Sequence, residues 1–164
     1  MTQFLVVTLN GLTLASLFFI VASGFSLIFG LMRVVNMAHG ALYMVGAYVG
    51  WSIWDATGNW WAALILAPLA AAVIGIVMQR IFLRPVEGDD LREALVTIAI
   101  SIIIADLLLQ QYGGNIRQVR PPEILSGAMP MTLIGLTAYP KFRLFTLFMA
   151  ILVGLILWYV QQKT

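Results

Sequence analysis

"FLVVTLNGLTLASLFFIVASGFSLIFGLM", residues 4–32, runs for 29 positions without one charged side chain. A helix needs about 20 mostly apolar residues to cross about 30 Å of hydrocarbon, and this stretch exceeds that. Backbone N–H and C=O groups in lipid must be satisfied within the segment, so the run is helical. Transmembrane barrel strands would alternate apolar and polar residues, and this one does not. Gly11, Gly24 and Gly30 offer places for tilt or bending.

The rest of the chain repeats the pattern. Of 164 residues, 62% are hydrophobic and 10% charged, against about 25% charged in ordinary soluble domains. Further spans are predicted at about Val34 to Trp54, Trp60 to Gln79, Ala94 to Gly113 and Phe142 to Val160. The fold class is therefore an all-α, polytopic integral membrane helical bundle of about five spans, in one transmembrane domain over residues 1–164. The "DATGN" turn at 55–59 and the polar "RIFLRPVEGDDLRE" at 80–93 join them. Residues 114–141 form a long Gly- and Pro-containing connection, expected to pack on the membrane surface or to form short helices. Pro68 supplies no N–H and is expected to kink the third span.

What charge excludes is also clear. The nine basic residues lie near the ends of apolar segments, not in one patch, which excludes nucleic acid as a partner. The chain has no cysteine and one histidine, so a paired-histidine or thiolate metal site is not expected. No GxxxxGK[ST] phosphate loop, GxSxG or paired intramembrane acids occur, so neither catalytic residues nor nucleotide hydrolysis are assigned to this chain. "MTQFLVVTLN" lacks a basic n-region and is not read as a cleavable signal peptide.

The polar exceptions are the candidate sites. "RVVNMAHGAL", residues 33–42, places Arg33, Asn36 and His39 together between apolar runs. If helical, positions 36, 39, 40 and 43 share one face, with Gly40 leaving room beside Asn36, His39 and Tyr43. Two readings stand: these residues line a translocation pathway, or they satisfy an interhelical contact or a helix break near 33–40. Asp106 in "SIIIADLLLQQ" and Asn10 in the first span are further polar intramembrane candidates. Gly46 and Gly50 form a GxxxG pair suited to close helix packing, and Ala63, Ala67, Ala70, Ala71 and Gly75 offer a small-residue face on the third span.

"GLTLASLFFIVASGFSLIFGLMRVVNMAHGALYMVGAYV" resembles the N-terminal region of permease subunits of bacterial branched-chain amino acid ABC importers. The family's Asn-x-Ala-His-Gly motif is matched by Asn36, Met37, Ala38, His39 and Gly40, and its basic turn ending in Arg-Pro by Arg84 and Pro85. The "TIAIS" at 97–101 and "RLFTLFMAILVGLILWYVQQKT" also follow the family's order. The family often has Phe at Met37, and commonly a Gln-Asn pair near Ala105–Asp106. Family permeases are considerably longer, so the chain corresponds to the front half of one.

The resemblance implies an ABC-importer permease in the bacterial inner membrane, carrying branched-chain or related amino acids. It implies an identical or sister permease, separate ATP-binding subunits and a periplasmic solute-binding protein as partners. ATP would be used by those partners, with no cofactor in this chain. It also makes the 80–93 turn cytoplasmic and the N-terminus external; Lys and Arg counts of five and four on the two sides lean the same way only slightly. The alternatives are a proton-coupled secondary transporter or channel using Asp106 and His39, and a non-transporting membrane scaffold.

Overall fold

A computed structural model describes residues 2–32, 36–131 and 136–163. Five long helices occur among them: α1 (Thr2–Met32), α2 (His39–Thr57), α3 (Trp60–Met78), α4 (Asp90–Tyr112) and α5 (Lys141–Lys163). Two short strands, β1 (Ala128–Met131) and β2 (Leu136–Pro140), pair antiparallel, with Met129 opposite Tyr139. This hairpin lies within the connection expected to be loop or short helix. A single 3₁₀ turn, Glu123–Leu125, precedes it.

Four helical stretches are long and apolar enough to cross a membrane: Gln3–Gly30, Trp60–Val86, Asp90–Tyr112 and Lys141–Lys163. Their exposed faces carry large apolar side chains such as Phe18, Ile65, Leu69, Ile102 and Ile151, as lipid contact requires. The second expected span differs. Its helix begins at His39, not Val34, and it is not among the four. Residues 33–35 lie outside the described residues.

Helix boundaries follow local chemistry. Gly58 ends α2 at φ +66°, a left-handed conformation that glycine adopts without steric cost, and its N–H reaches the Trp54 carbonyl at 2.7 Å. Asn59 then caps α3, its side chain accepting from the Ala62 N–H at 3.1 Å. Beyond Met78 the helix continues as a π turn over Gln79–Leu83, in which the Arg84 N–H bonds the Gln79 carbonyl. Pro85 follows and cannot donate to a preceding carbonyl, so the ladder loosens where the Arg-Pro pair stands. The turn expected over 80–93 therefore shrinks to Glu87–Asp89. Asp89 caps α4 through the Arg92 N–H at 3.1 Å, and the Glu93 carboxylate accepts from the Gly88 N–H at 3.1 Å. Those caps start α4 four residues earlier than the apolar run alone suggests.

The chain forms two compact units. In the unit over residues 25–120, α2 packs on α3 and α4, around Ala38, Met78 and Leu83 with Leu42, Val96 and Ile100 against them. Small residues allow the α2–α3 approach. A Cβ on Gly50 would lie 3.2 Å from the Ala67 Cβ, and one on Gly46 would lie 3.8 Å from the Ala71 Cβ. Gly75 of α3 faces Leu42.

The unit formed by residues 1–24 and 121–164 joins the first part of α1, the hairpin and α5. Tyr139 on β2 is 2% exposed; its hydroxyl lies 3.0 Å from Thr13 Oγ1 and donates to Asn10 Oδ1 at 3.3 Å. Arg143 on α5 also hydrogen-bonds Asn10 Oδ1. The two α1 side chains thus anchor the hairpin where it enters α5. Tyr139→Phe removes the hydroxyl but keeps the ring, so a loss of about 1 kcal/mol is expected. Thermal unfolding in detergent checks this, with Tyr139→Ala expected to cost about 3–5 kcal/mol through the lost ring.

Candidate functional site

The corner between α1 and α2 is built from backbone groups that have left the helical ladder. Asn36 and the turn at Met37 and Ala38 precede α2, so these donors need other partners. Asn36 supplies two of them. Its Oδ1 accepts from the Ala38 N–H at 2.9 Å, and its carbonyl accepts from the His39 N–H at 3.3 Å. A third comes from α4: Thr97 Oγ1 accepts from the Met37 N–H at 3.2 Å while donating to the Ala94 carbonyl at 2.9 Å. Asn36 is 6% exposed and Thr97 fully buried.

The corner's depth follows from α4. Thr97 lies seven residues after Asp90, or about 10 Å along the helix at about 1.5 Å per residue. Gln79, on the π turn, lies equally far from Val86, where the α3 hydrophobic stretch ends. The break thus sits about two helical turns inside the α3–α4 end of this unit. Beside it is a pocket of about 250 Å³ whose walls include Asn36, Leu42, Gly75, Gln79 and Leu83. The two amides are its polar groups among otherwise apolar walls.

The sequence candidates divide. Asn36 lines this pocket, but it precedes α2 and so does not share a helical face with Tyr43. His39 is half-buried, edge-on to Phe25 of α1 with ring centroids 6.0 Å apart. Gly40 is exposed, and a Cβ there would meet nothing within 4 Å. Tyr43 is 59% exposed. Asp106 is exposed on α4 and forms no ion pair among the described residues; it stands six residues before Tyr112, about 9 Å from that end. Asn10 belongs to the Tyr139–Arg143 anchor and not to the pocket. Gly46 and Gly50 form the α2–α3 crossing.

Sequence reading missed Thr97, Gln79 and a second group at the opposite end of this unit. There Tyr48 stacks on Tyr112 at 4.5 Å and 27°, Trp51 meets Tyr112 edge-on at 6.0 Å, and Ser52 Oγ lies 2.8 Å from the Tyr112 hydroxyl. Arg117 lies over the Trp51 ring, 4.6 Å from its centroid. The missed residues are separated by up to about 70 positions in the chain, and only the fold joins them. No group of three or more metal-ligating side chains occurs among the described residues.

Residues 7–164 match the family described as "Branched-chain amino acid transport system / permease component". The chain belongs to this family. Among its relatives, the high-affinity branched-chain amino acid transport system permease protein LivH of Salmonella typhimurium is 31% identical over 128 residues. That alignment takes in 72% of this chain and 41% of LivH. LivH of Escherichia coli is 31% identical over 130 residues with the same coverage, and BraD of Pseudomonas aeruginosa is 27% identical over 128 residues. The chain thus spans about two fifths of the length of these curated relatives. No solved structure matches it.

Proposed function

We propose that this chain forms part of the membrane conduit of an ABC importer for branched-chain or related amino acids. The observation that carries this reading is the family match across residues 7–164. The conduit works in the bacterial inner membrane beside an identical or sister permease. Separate ATP-binding subunits hydrolyse ATP, and a periplasmic solute-binding protein delivers the cargo. The Glu87–Asp89 turn faces the cytoplasm and the N-terminus faces outward.

The corner at residues 36–39 has the chemistry that such a pathway needs. Amides offer both donors and acceptors, so Asn36 and Gln79 can meet the ammonium and carboxylate of a zwitterion without adding fixed charge. Apolar walls from Leu42, Ile76 and Leu83 receive an aliphatic side chain. The tight Gly50–Ala67 approach makes α2 and α3 move as a pair when partner subunits rock the bundle.

Reconstitution of the full-length protein with its partner subunits tests the proposal. Uptake of labelled leucine is expected only with ATP and the solute-binding protein present. Asp106→Asn is expected to leave uptake within about twofold, as exposed substitutions usually change energies by under about 0.5 kcal/mol. Proton-driven uptake without ATP, abolished by Asp106→Asn, would instead establish a secondary transporter. Full uptake by a complex lacking this chain would leave it a scaffold.

A further inference from the structure

The pocket at the C-terminal end of α4 lies at the opposite end of this unit from the Glu87–Asp89 turn. It measures about 550 Å³ and is lined by Ala47, Tyr48 and Trp51 of α2 and by residues 114–117 and 119 of the following loop. Its size falls within the range of about 300–1,000 Å³ usual for small-molecule sites.

Its chemistry is specific. The Arg117 guanidinium is held twice: over Trp51, and by an Nη2–H bond to the Tyr112 carbonyl at 3.0 Å. Arginine carries five N–H donors in a planar fork, and that bond uses one. No carboxylate pairs with Arg117 among the described residues. The Trp51 ring beneath it is fixed by Tyr112, which is itself held between Tyr48 and Ser52. A guanidinium positioned in advance with free donors favours a planar anion, above all a carboxylate. Around it stand exposed apolar groups, Ile116 and Val119, which are 90% and 39% exposed, and the Asn115 amide.

We propose that this pocket binds an apolar α-amino acid, with Arg117 holding its carboxylate and Trp51, Ile116 and Val119 receiving its side chain. The proposal rests on the transport reading above, whose orientation puts the pocket at the outer mouth. It names a first station for cargo on the external side, distinct from the amide pocket near the cytoplasmic end.

The test uses the assembled complex in phosphatidylcholine nanodiscs without the solute-binding protein, so that no anionic headgroup competes. Saturation-transfer NMR measures binding of L-leucine and of L-leucinamide, which lacks the carboxylate. Arg117→Gln is expected to weaken leucine binding by about tenfold or more, as loss of a hydrogen-bonded charge should. Arg117→Lys should fall between, since it keeps charge but loses the fork and the stack. Leucinamide should bind wild type at least about tenfold more weakly than leucine and be indifferent to Arg117→Gln. Trp51→Leu, which leaves the charge but removes its platform, provides a second variant if Arg117→Gln does not assemble, and should also weaken binding. Leucine binding unaffected by Arg117→Gln or Trp51→Leu, or leucinamide binding as well as leucine, overturns the site. ATP-driven leucine uptake by the same wild-type complex, reconstituted into proteoliposomes with the solute-binding protein, separates the two claims. Uptake with Arg117-independent binding removes only the site, whereas Arg117-dependent binding without uptake removes only the transport reading.

Discussion

Gly50→Leu is expected to leave little folded protein in the membrane. The Cβ alone would stand 3.2 Å from the Ala67 Cβ and 3.9 Å from the Ala63 carbonyl oxygen, and three further carbons have nowhere to go. Overpacking commonly costs about 1–3 kcal/mol, and the α2–α3 pair has no hydrophobic gain to offset it, because lipid is as apolar as the helix face. Gly50→Ala should be milder, since higher helix propensity, up to about 1 kcal/mol, offsets a contact only a few tenths of an ångström too close. Gly46→Ala should be nearly neutral, because its neighbours lie at 3.8 and 3.9 Å. The fraction eluting as a single folded species from detergent, before and after heating, reads all three. Ala67→Gly should partly restore Gly50→Ala. If Gly50→Leu is as stable as wild type, α2 and α3 do not cross there.

The second large effect is expected at the corner. Asn36→Leu strands the buried Ala38 N–H, and Thr97→Val strands the part-buried Met37 N–H. An unsatisfied buried donor costs about 1–3 kcal/mol. For a chain of this length each kcal/mol lowers the melting midpoint by roughly 2–4 °C. Thr97→Ser keeps the acceptor and should recover most of the loss. The double variant should cost less than the sum, because both changes release the same turn. Transport should fall along with stability in Asn36→Leu. Asn36→Asp keeps the Oδ1 acceptor, so a drop in uptake at unchanged stability would mark a role in the pathway beyond bracing the break. If Thr97→Val and Thr97→Ser behave alike, the hydrogen bond does not hold the corner.

The helical architecture was legible because lipid imposes one solution on long uncharged runs, and α1, α3, α4 and α5 announce themselves by length alone. Their ends were less so. The start at Asp90 depends on the Asp89 cap and an acidic first turn that a hydropathy reading places outside the span. The hairpin at 128–140 was not legible at all: Tyr139 commits it to Thr13 and Asn10, more than 120 positions away. The corner was visible as an anomaly, since Asn36 and His39 interrupt apolar sequence. What Asn36 does there was not visible, because its partner Thr97 looks like any β-branched residue in an apolar helix. The face shared by 36, 39, 40 and 43 assumed a helix that starts at Val34, whereas α2 starts at His39 and Asn36 lies before it. The Arg117–Trp51 pocket had no sequence signal, as each residue alone reads as an interfacial anchor.

Water reaching Gln79 through the protein is the most direct test of a polar route beside the corner. These 164 residues contain no cysteine, so Gln79→Cys gives one reporter in this segment. In the assembled complex in proteoliposomes, a charged water-soluble thiol reagent should modify it, at a rate that changes between the nucleotide-free and ATP-bound states, while Leu69→Cys on the exposed face of α3 stays unmodified. Modification of Leu69→Cys but not Gln79→Cys, or labelling of Gln79→Cys only by a lipid-dissolved reagent, would contradict a conduit there.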